Sequence, residues 1–175
     1  MSSIDKTLLV TVSPQADPTT TINHILERVG HYLQADRCFL YVRKPAVGKG
    51  RIAFCWRKNE VVPNPTHDWQ NDTADLPQQD PLFRAALAAQ PSVFVEDVEA
   101  AGPDVLNREF ERQTFGHRAL IHAHIVDNGQ LWGILQPCVF GQPRHWTPQE
   151  RAAIEAVLPS LLPVIQAYIN SIQLS

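Results

Sequence analysis

Apolar residues recur at helical and at strand spacing along the chain, and this pattern predicts the order of its elements. Between residues 19 and 33 the apolar positions lie three and four apart, which places them on one face of a helix that Asp17 and Pro18 would start. Residues 37–44 and 51–56 are rich in aromatic and branched side chains and flank a turn at Pro45. They therefore predict two neighbouring antiparallel strands.

The middle of the chain predicts a long loop followed by short elements. Residues 61–81 contain four prolines and few apolar side chains, so they favour a loop. Short helices are expected over residues 81–89 and 104–114, with a short strand over residues 92–95. Residues 118–126 and 130–135 predict a hairpin, because Asn128-Gly129 between them supplies the positive φ angles of a tight turn.

The last part of the chain predicts one long helix with a defined start. The sequence Thr147-Pro148-Gln149-Glu150 forms a capping box with proline at the first helical position. Pro159 and Pro163 lie within the apolar run that follows. Since a proline inside a helix removes an amide donor and clashes with the preceding turn, we expect a bend or a break near residue 158.

Together these elements predict an α+β fold. A mostly antiparallel sheet of five to six strands would lie at its centre, with helices packed on its faces. A chain of 175 residues has the usual size of one domain. We expect a single domain over residues 19–175 and an N-terminal extension over residues 1–18.

Charge and composition exclude several classes of function. The net charge is −3 and the 15 Lys and Arg residues are scattered, so we expect no binding to nucleic acid or to an acidic membrane surface. The chain does not open with a basic and apolar leader, and we expect no membrane-spanning segment. Cys38, Cys55 and Cys138 are widely separated and odd in number, which favours a reducing compartment and a cytoplasmic protein.

Two segments near the end of the chain resemble one known family. The segment LWGIL at residues 131–135 is followed seven residues later by PRHW at residues 143–146, and then by the acidic residue that opens the last helix. This spelling resembles the GAF domains of cyanobacterial phytochromes and cyanobacteriochromes, which hold linear tetrapyrroles (bilins). The resemblance spans residues 19–172. It implies a sensory or regulatory domain of α+β fold with a small-molecule pocket.

The resemblance also indicates where chromophore-binding residues would lie. In relatives that carry a bilin, a Cys-His pair precedes a phenylalanine by eight and seven residues, and counting back from Phe115 reaches Asn107 and Arg108. A second cysteine of some relatives, in an Asp-x-Cys-Phe motif, corresponds to Leu82 beside Phe83. The resemblance therefore implies a pocket without covalent bilin attachment and no covalently bound cofactor. The candidate pocket residues are Leu82, Phe83, Asn107, Arg108, Phe115, His122, His124 and Cys138.

Histidines and arginines give weaker candidates. His122 and His124 lie two apart in a predicted strand, so their side chains share one face. The outer face of a half-exposed strand is the favoured interpretation, ahead of pocket lining, and a metal site is the least favoured because no carboxylate or cysteine has ligand spacing nearby. Four arginines could bind an anionic ligand, although exposed ion pairs with neighbouring glutamates are favoured. They are Arg84, Arg108, Arg112 and Arg118.

The cysteines offer the only route to an enzyme. Cys38 and Cys55 lie among aromatic residues in predicted strands, so both are interpreted as core residues. Cys138 follows Pro137 where the strand should leave the sheet, and it is expected to be the most accessible thiol. A small cysteine-dependent enzyme using Cys138, with His145 or His122 as base, is thus an alternative. No catalytic motif supports it, and we expect a protein that is not an enzyme.

The function that the sequence favours is a stand-alone, non-enzymatic GAF-type sensory or regulatory domain. It would act through contacts with a protein partner and keep a pocket for an unidentified small ligand. Non-covalent binding of a bilin or another tetrapyrrole is a further alternative. Apolar side chains on the first and last helices exceed what one sheet face can cover, which predicts a homodimer. They include Ile22, Ile25, Leu26, Val29, Ile165, Tyr168, Ile169 and Ile172.

Overall fold

A computed structural model describes residues 16–73 and 75–172, and residues 1–15 of the expected N-terminal extension lie outside this part. The helices are α1 (Pro18–Leu33), α2 (Leu76–Gln79), α3 (Pro81–Leu87), α4 (Arg108–Thr114) and α5 (Pro148–Asn170). The strands are β1 (Arg37–Lys44), β2 (Lys49–Arg57), β3 (Gln70–Asn71), β4 (Val93–Val95), β5 (Ala119–Asp127) and β6 (Gln130–Val139).

The strands form one six-stranded sheet in the order β3-β2-β1-β6-β5-β4, and every neighbouring pair is antiparallel. This confirms the predicted α+β fold. The hairpin between β5 and β6 is also confirmed, with positive φ angles of 49° at Asn128 and 72° at Gly129. The capping box is present as predicted, because Thr147 accepts from the Glu150 amide and Glu150 accepts from the Thr147 amide.

One face of the sheet packs against α1 and α5. The apolar stripe of α1 is fully buried here, and alternate residues of β5, such as Ile121 and Ala123, point to the same side. Trp146, which precedes α5, is buried in this core as well. Since the stripe of α1 packs on its own sheet, it is not available for pairing with a second chain.

The opposite face of the sheet is covered by the short helices and by the segment that follows β2. Phe39 of β1, Ile52 of β2 and Leu120 of β5 pack here with Leu82 of α3. This second layer creates the environment of the candidate site. It also contains two small elements, β3 and α2, within the region where the sequence predicted only a loop.

The prediction of a break in the last helix is wrong. Helix α5 continues from Pro148 to Asn170 through Pro159 and Pro163. Both prolines lie on the exposed side, where water can reach carbonyl groups that lose an amide partner, while Ile154, Val157, Leu161 and Ile165 hold the opposite side in the core. Tertiary packing thus outweighs the local cost of the two prolines.

The expectation that no segment could cross a membrane also needs correction. By length and composition alone, α5 is long and apolar enough to do so. However, eight of its residues are buried in the domain, including Val164 and Ile169. A core helix of a folded domain has the same properties, so α5 is weak support for a membrane segment.

Candidate ligand cavity

A cavity of about 340 Å³ lies between the second face of the sheet and the elements that cover it. Strands β1, β2, β5 and β6 form its floor. Helices α2, α3 and α4 and the segment between β2 and α2 form its walls. Its lining residues are Phe39, Tyr41, Gly50, Ile52, Pro65, His67, Gln70, Asn71, Asp72, Leu76, Asp80, Phe83, Phe110, Glu111, Thr114, Phe115, His122, Ile134 and Gln136.

Aromatic rings form much of the cavity wall. Phe39 and Tyr41 are alternate residues of β1, so both side chains reach the cavity face. Phe39 stacks on Phe115 with ring centroids 5.5 Å apart, and Tyr41 meets Phe83 edge to face at 5.7 Å. Phe110 adds a further edge-to-face contact with Phe115 at 6.1 Å. The wall is therefore apolar and rigid, and it presents several aromatic faces.

Two carboxyl groups lie in this apolar setting. Asp80 is the N-cap of α3 and accepts a hydrogen bond from the Leu82 amide at 3.1 Å. Burial, together with repulsion from Glu111, raises the pKa of Asp80 to about 7. Burial also raises the pKa of Glu111 to about 8, against the opposing effect of the Arg37 guanidinium. Both groups therefore titrate near neutral pH.

Glu111 is connected to Arg37 through His117. The His117 Nε2 atom lies 2.7 Å from Glu111 Oε2, and the Arg37 Nη2 atom lies 3.4 Å from His117 Nδ1. An arginine can only donate, so His117 Nδ1 accepts and the Nε2 proton is donated to Glu111. Arg37 also donates to Cys138 Sγ, the Pro63 carbonyl and the Phe115 carbonyl.

A series of hydrogen bonds through two further histidines begins at the cavity floor. The His122 Nδ1 and His124 Nε2 atoms are 2.8 Å apart, and His124 Nδ1 lies 2.8 Å from the Gln90 carbonyl oxygen. Because a carbonyl only accepts, His124 carries its proton on Nδ1 and accepts from His122 at Nε2. Burial lowers the pKa of both imidazoles, and the neighbouring ring of His124 adds to the effect at His122. Neutral His122 is then left with Nε2 as an acceptor for the cavity.

Asp72 supplies a third acidic group, which is already paired. Its Oδ2 accepts from Arg43 Nε at 3.0 Å and from Arg43 Nη2 at 2.7 Å. Its Oδ1 is buried without a hydrogen-bond partner among the described residues. An unpaired buried acceptor is costly, and a donor in the cavity would satisfy it.

The predicted pocket residues divide into two groups. Phe83, Phe115 and His122 line the cavity, and His124 supports His122 from behind. The other four lie elsewhere: Leu82 is buried in the adjacent core, Arg108 lies on the outer surface, and Cys138 is buried in the same core as Leu82, beside Arg37. Asn107 caps α4 by accepting from the Phe110 amide at 3.1 Å, and it donates to the Gln79 carbonyl at 3.0 Å. It therefore has a structural role at that position.

The interpretation of His122 and His124 as an outer strand face is wrong. Only 4% of His122 and 6% of His124 are exposed, because the layer of short helices covers this face. No group of three or more His, Cys, Asp or Glu residues in the described part of the chain has the arrangement of a metal site.

The arginines behave as ordinary surface residues. Arg112 pairs with Glu99 and Glu109, and Arg118 pairs with Asp97. Arg84 is exposed on α3, and neither it nor Arg108 lines the cavity. Arg112 thus matches the favoured interpretation of exposed pairs with glutamates, and Arg118 pairs with an aspartate instead. Among the described residues, Arg84 and Arg108 form no ion pair.

Cys138 is not the accessible thiol that the sequence predicted. Its side chain is fully buried, and the Arg37 Nε atom donates to its sulfur at 3.3 Å. Strand β6 extends through Pro137 to Val139, four residues beyond its predicted end, so Cys138 stays inside the sheet. The predicted core position of Cys38 is confirmed, whereas Cys55 is partly exposed.

Several lining residues were not singled out from the sequence. Tyr41 and Gln136 look like ordinary strand residues, and Glu111 looks like a charge on a solvated helix. One usable signal was present for Glu111, because it lies four residues before Phe115 and therefore on the same side of α4. Nothing in the sequence indicates that this side faces a cavity.

The fold is that of a known class of domain. The GAF domain family model matches residues 17–160, and the chain belongs to this family. No curated protein sequence gives a significant match.

Solved structures of similar fold come from several kinds of protein. GAF3 of Slr1393 from Synechocystis sp. PCC6803, in its photoproduct state, is 23% identical, with coverage of 87% of this chain and 97% of that chain and a TM-score of 0.62. The phycoerythrobilin-bound GAF domain of a cyanobacterial phytochrome is 18% identical, with 89% coverage of both chains and a TM-score of 0.68. The GAF domain of Acinetobacter phosphoenolpyruvate-protein phosphotransferase is 12% identical, with coverage of 98% and 93% and a TM-score of 0.66. At these identities the similarity concerns the fold alone.

Proposed function

We propose that this protein is a non-enzymatic sensory or regulatory GAF domain that binds a small molecule non-covalently in the cavity and signals through a protein partner. Small-molecule sites are concave and mostly apolar, with a few convergent polar groups, and the cavity has this composition. The similar structures include photoreceptor domains and a phosphotransferase domain.

One observation carries the non-covalent part of the proposal: none of the three cysteines of the chain lines the cavity. A thioether to a bilin needs a cysteine beside the chromophore. The sequence resemblance places such cysteines at Asn107 and Leu82, and both of these side chains have structural roles. We therefore propose that the covalent attachment of bilins has been lost.

The two alternative functions receive less support. A tetrapyrrole would need cationic partners for its propionates, and no Lys or Arg of the described residues lines the cavity. Its volume of about 340 Å³ is also near the lower end for ligand sites. A cysteine-dependent enzyme would need an accessible thiol, whereas Cys138 is fully buried outside the cavity.

We also propose that the protein is a cytoplasmic homodimer. The buried stripe of α1 cannot serve as the interface, but α5 exposes an outer face with few charges. Ala152, Ala156, Pro159, Pro163 and Ala167 lie along this face. Light scattering that gives the single-chain mass of 19.6 kDa at all concentrations would contradict the dimer.

Binding of a neutral aromatic probe tests the proposed cavity function. N-phenyl-1-naphthylamine becomes fluorescent in apolar surroundings, and we expect saturable binding to one site per chain. Replacing Ile52, which lines the cavity and is 5% exposed, by Phe should fill part of the cavity and weaken binding by about tenfold or more.

The matched control for this titration is Val61→Phe. Val61 is 90% exposed, so the same enlargement there leaves the cavity unchanged. Equal binding by the wild-type protein and both variants would place the probe outside the cavity. Absence of saturable binding to the wild-type protein would refute the proposed function.

A further inference from the structure

The charges around the cavity are unevenly compensated. Asp72 is neutralised by Arg43 through two hydrogen bonds. Glu111 reaches the buried Arg37 guanidinium through His117. Asp80 is the third carboxyl of the wall, and among the described residues no basic side chain forms an ion pair or a hydrogen bond with it. The cavity therefore has one acidic group whose charge is uncompensated when it ionises.

Two of the polar atoms that remain for a ligand are buried acceptors, on His122 and Asp72. The His122 side chain is only 4% exposed, and its Nδ1–H donates to His124 Nε2. Its Nε2 takes no part in this bond and is an acceptor in the neutral ring. Asp72 Oδ1 is a second buried acceptor without a partner. A ligand that satisfies these atoms must supply N–H or O–H donors.

The aromatic wall suits a positive charge as well as an apolar body. Faces of Phe and Tyr rings attract cations, and the attraction grows when the cation is desolvated. Phe39, Tyr41, Phe83, Phe110 and Phe115 all line the cavity. Arg37 is not among the lining residues, but its guanidinium carbon lies 5.2 Å from the centre of the Phe39 ring. Aromatic rings combined with an uncompensated carboxyl form a recognition site for an organic cation.

We infer that the cavity selects a compact organic monocation with N–H donors, an aryl amidinium or aryl ammonium, which pairs with Asp80, donates to His122 Nε2 and stacks its apolar body on the aromatic wall. This ligand class rests on the proposed function, because it requires the cavity to be a binding site. Anionic ligands such as carboxylates and phosphates are disfavoured, since they would meet Asp80 and an acceptor nitrogen with no lining Lys or Arg among the described residues. The volume limits the ligand to a small ring system with a short polar head.

Three probes of nearly the same shape test this inference: benzamidinium, benzamide and benzoate. They carry charges of +1, 0 and −1 on the same ring. Titrations of the full chain followed by amide chemical shifts in NMR spectra should show benzamidinium binding at the cavity about tenfold more tightly than benzamide, as expected for a charged hydrogen bond in place of a neutral one. Benzoate should cause no shifts at cavity residues.

Asp80→Asn tests the residue assignment. Asparagine also caps helices well, so α3 should keep its start, and the affinity for benzamidinium should fall about tenfold while that for benzamide stays the same. Asp75→Asn is the matched control, because Asp75 is exposed and makes no side-chain cap bond at α2. If Asp80→Asn fails to fold, the order of the three probes on the wild-type protein still decides the ligand class.

The outcomes separate this inference from the proposed function. Benzoate binding as tightly as benzamidinium, or an unchanged benzamidinium affinity in a folded Asp80→Asn variant, would overturn the cation class but leave the cavity as a binding site. If none of the three probes binds while N-phenyl-1-naphthylamine does, the cation class is likewise overturned and the cavity remains a binding site. Failure of all four probes would overturn both.

Discussion

Replacing Trp146 by Ala should lower the free energy of unfolding by about 3–5 kcal/mol, the usual range for removing a fully buried large aromatic side chain. Trp146 has no exposed surface, and its indole N–H donates to the Val95 carbonyl at 3.0 Å. The Arg144 guanidinium carbon lies 4.8 Å from its ring centre. The residue thus joins the start of α5 to β4, and its loss leaves both a void and an unpaired carbonyl.

Urea unfolding of three variants checks this prediction. Trp146→Phe should lose less than Trp146→Ala, because it keeps most of the volume and removes only the indole hydrogen bond. His145→Ala is the control, since the neighbouring His145 side chain is 74% exposed and such changes cost about 0.5 kcal/mol or less. A loss at Trp146→Ala no larger than at His145→Ala would show that Trp146 does not hold α5 to the sheet.

Raising the pH from 6.5 to 8.5 should lower the free energy of unfolding of the ligand-free protein by about 2 kcal/mol. The pKa of Asp80 is raised to about 7 and that of Glu111 to about 8, chiefly by burial. The folded protein therefore keeps these protons at a pH where the unfolded chain has released them. Unfolding releases protons in this window, so higher pH favours the unfolded state.

Below this pH window, two buried histidines have the opposite effect on the free energy of unfolding. Burial lowers the pKa of His122 and His124, so the unfolded chain binds more protons there and stability rises with pH up to about 6.5. The remaining titratable or charged groups around the two carboxyls are Arg37, Tyr41, Arg43, His67, Asp72 and His117. Burial raises the pKa of Tyr41 far above this window.

Glu111→Gln should remove most of the slope between pH 6.5 and 8.5, because glutamine cannot ionise but can still accept from His117. Glu109→Gln is the control on the same helix, where the side chain is 64% exposed. Urea midpoints measured at several pH values would reveal the difference. A stability that stays level or rises across this window in the wild-type protein would contradict the burial of uncharged Asp80 and Glu111.

Local sequence signals predicted local structure well. Asn128-Gly129 and the capping box at Thr147 depend on a few adjacent residues, so the sequence contains all that is needed to recognise them. The end of β6 was harder, because Pro137 suggested that the strand stops. The strand nevertheless continues, and β1 stays paired with it through Cys38–Pro137. On the other edge, the pairing with β5 is interrupted at Pro137, between the pairs Ala123–Leu135 and Leu120–Cys138. The missing amide of Pro137 is therefore tolerated.

The candidate site depends on which helices cover the second face of the sheet. The alternation of apolar and polar residues within a strand does not predict this. Alternation assigned His122 and Ile121 to opposite faces, but it did not show that α3 and α4 bury the face of His122. The resemblance pointed to Phe83 and Phe115, and both lie in the cavity wall. It could not indicate Glu111 or Tyr41, which meet the cavity only through the packing of α4 and β1.

The measurement that tests the central claim most directly is the mass of the polypeptide after expression in cells that produce a bilin. The claim is that this GAF domain has a ligand cavity without a covalent attachment point, because its three cysteines lie elsewhere. Intact-protein mass spectrometry under denaturing conditions should then give the unmodified chain of 19.6 kDa. A fraction that is heavier by the mass of the bilin, with the adduct mapped to any peptide of the chain, would contradict the account.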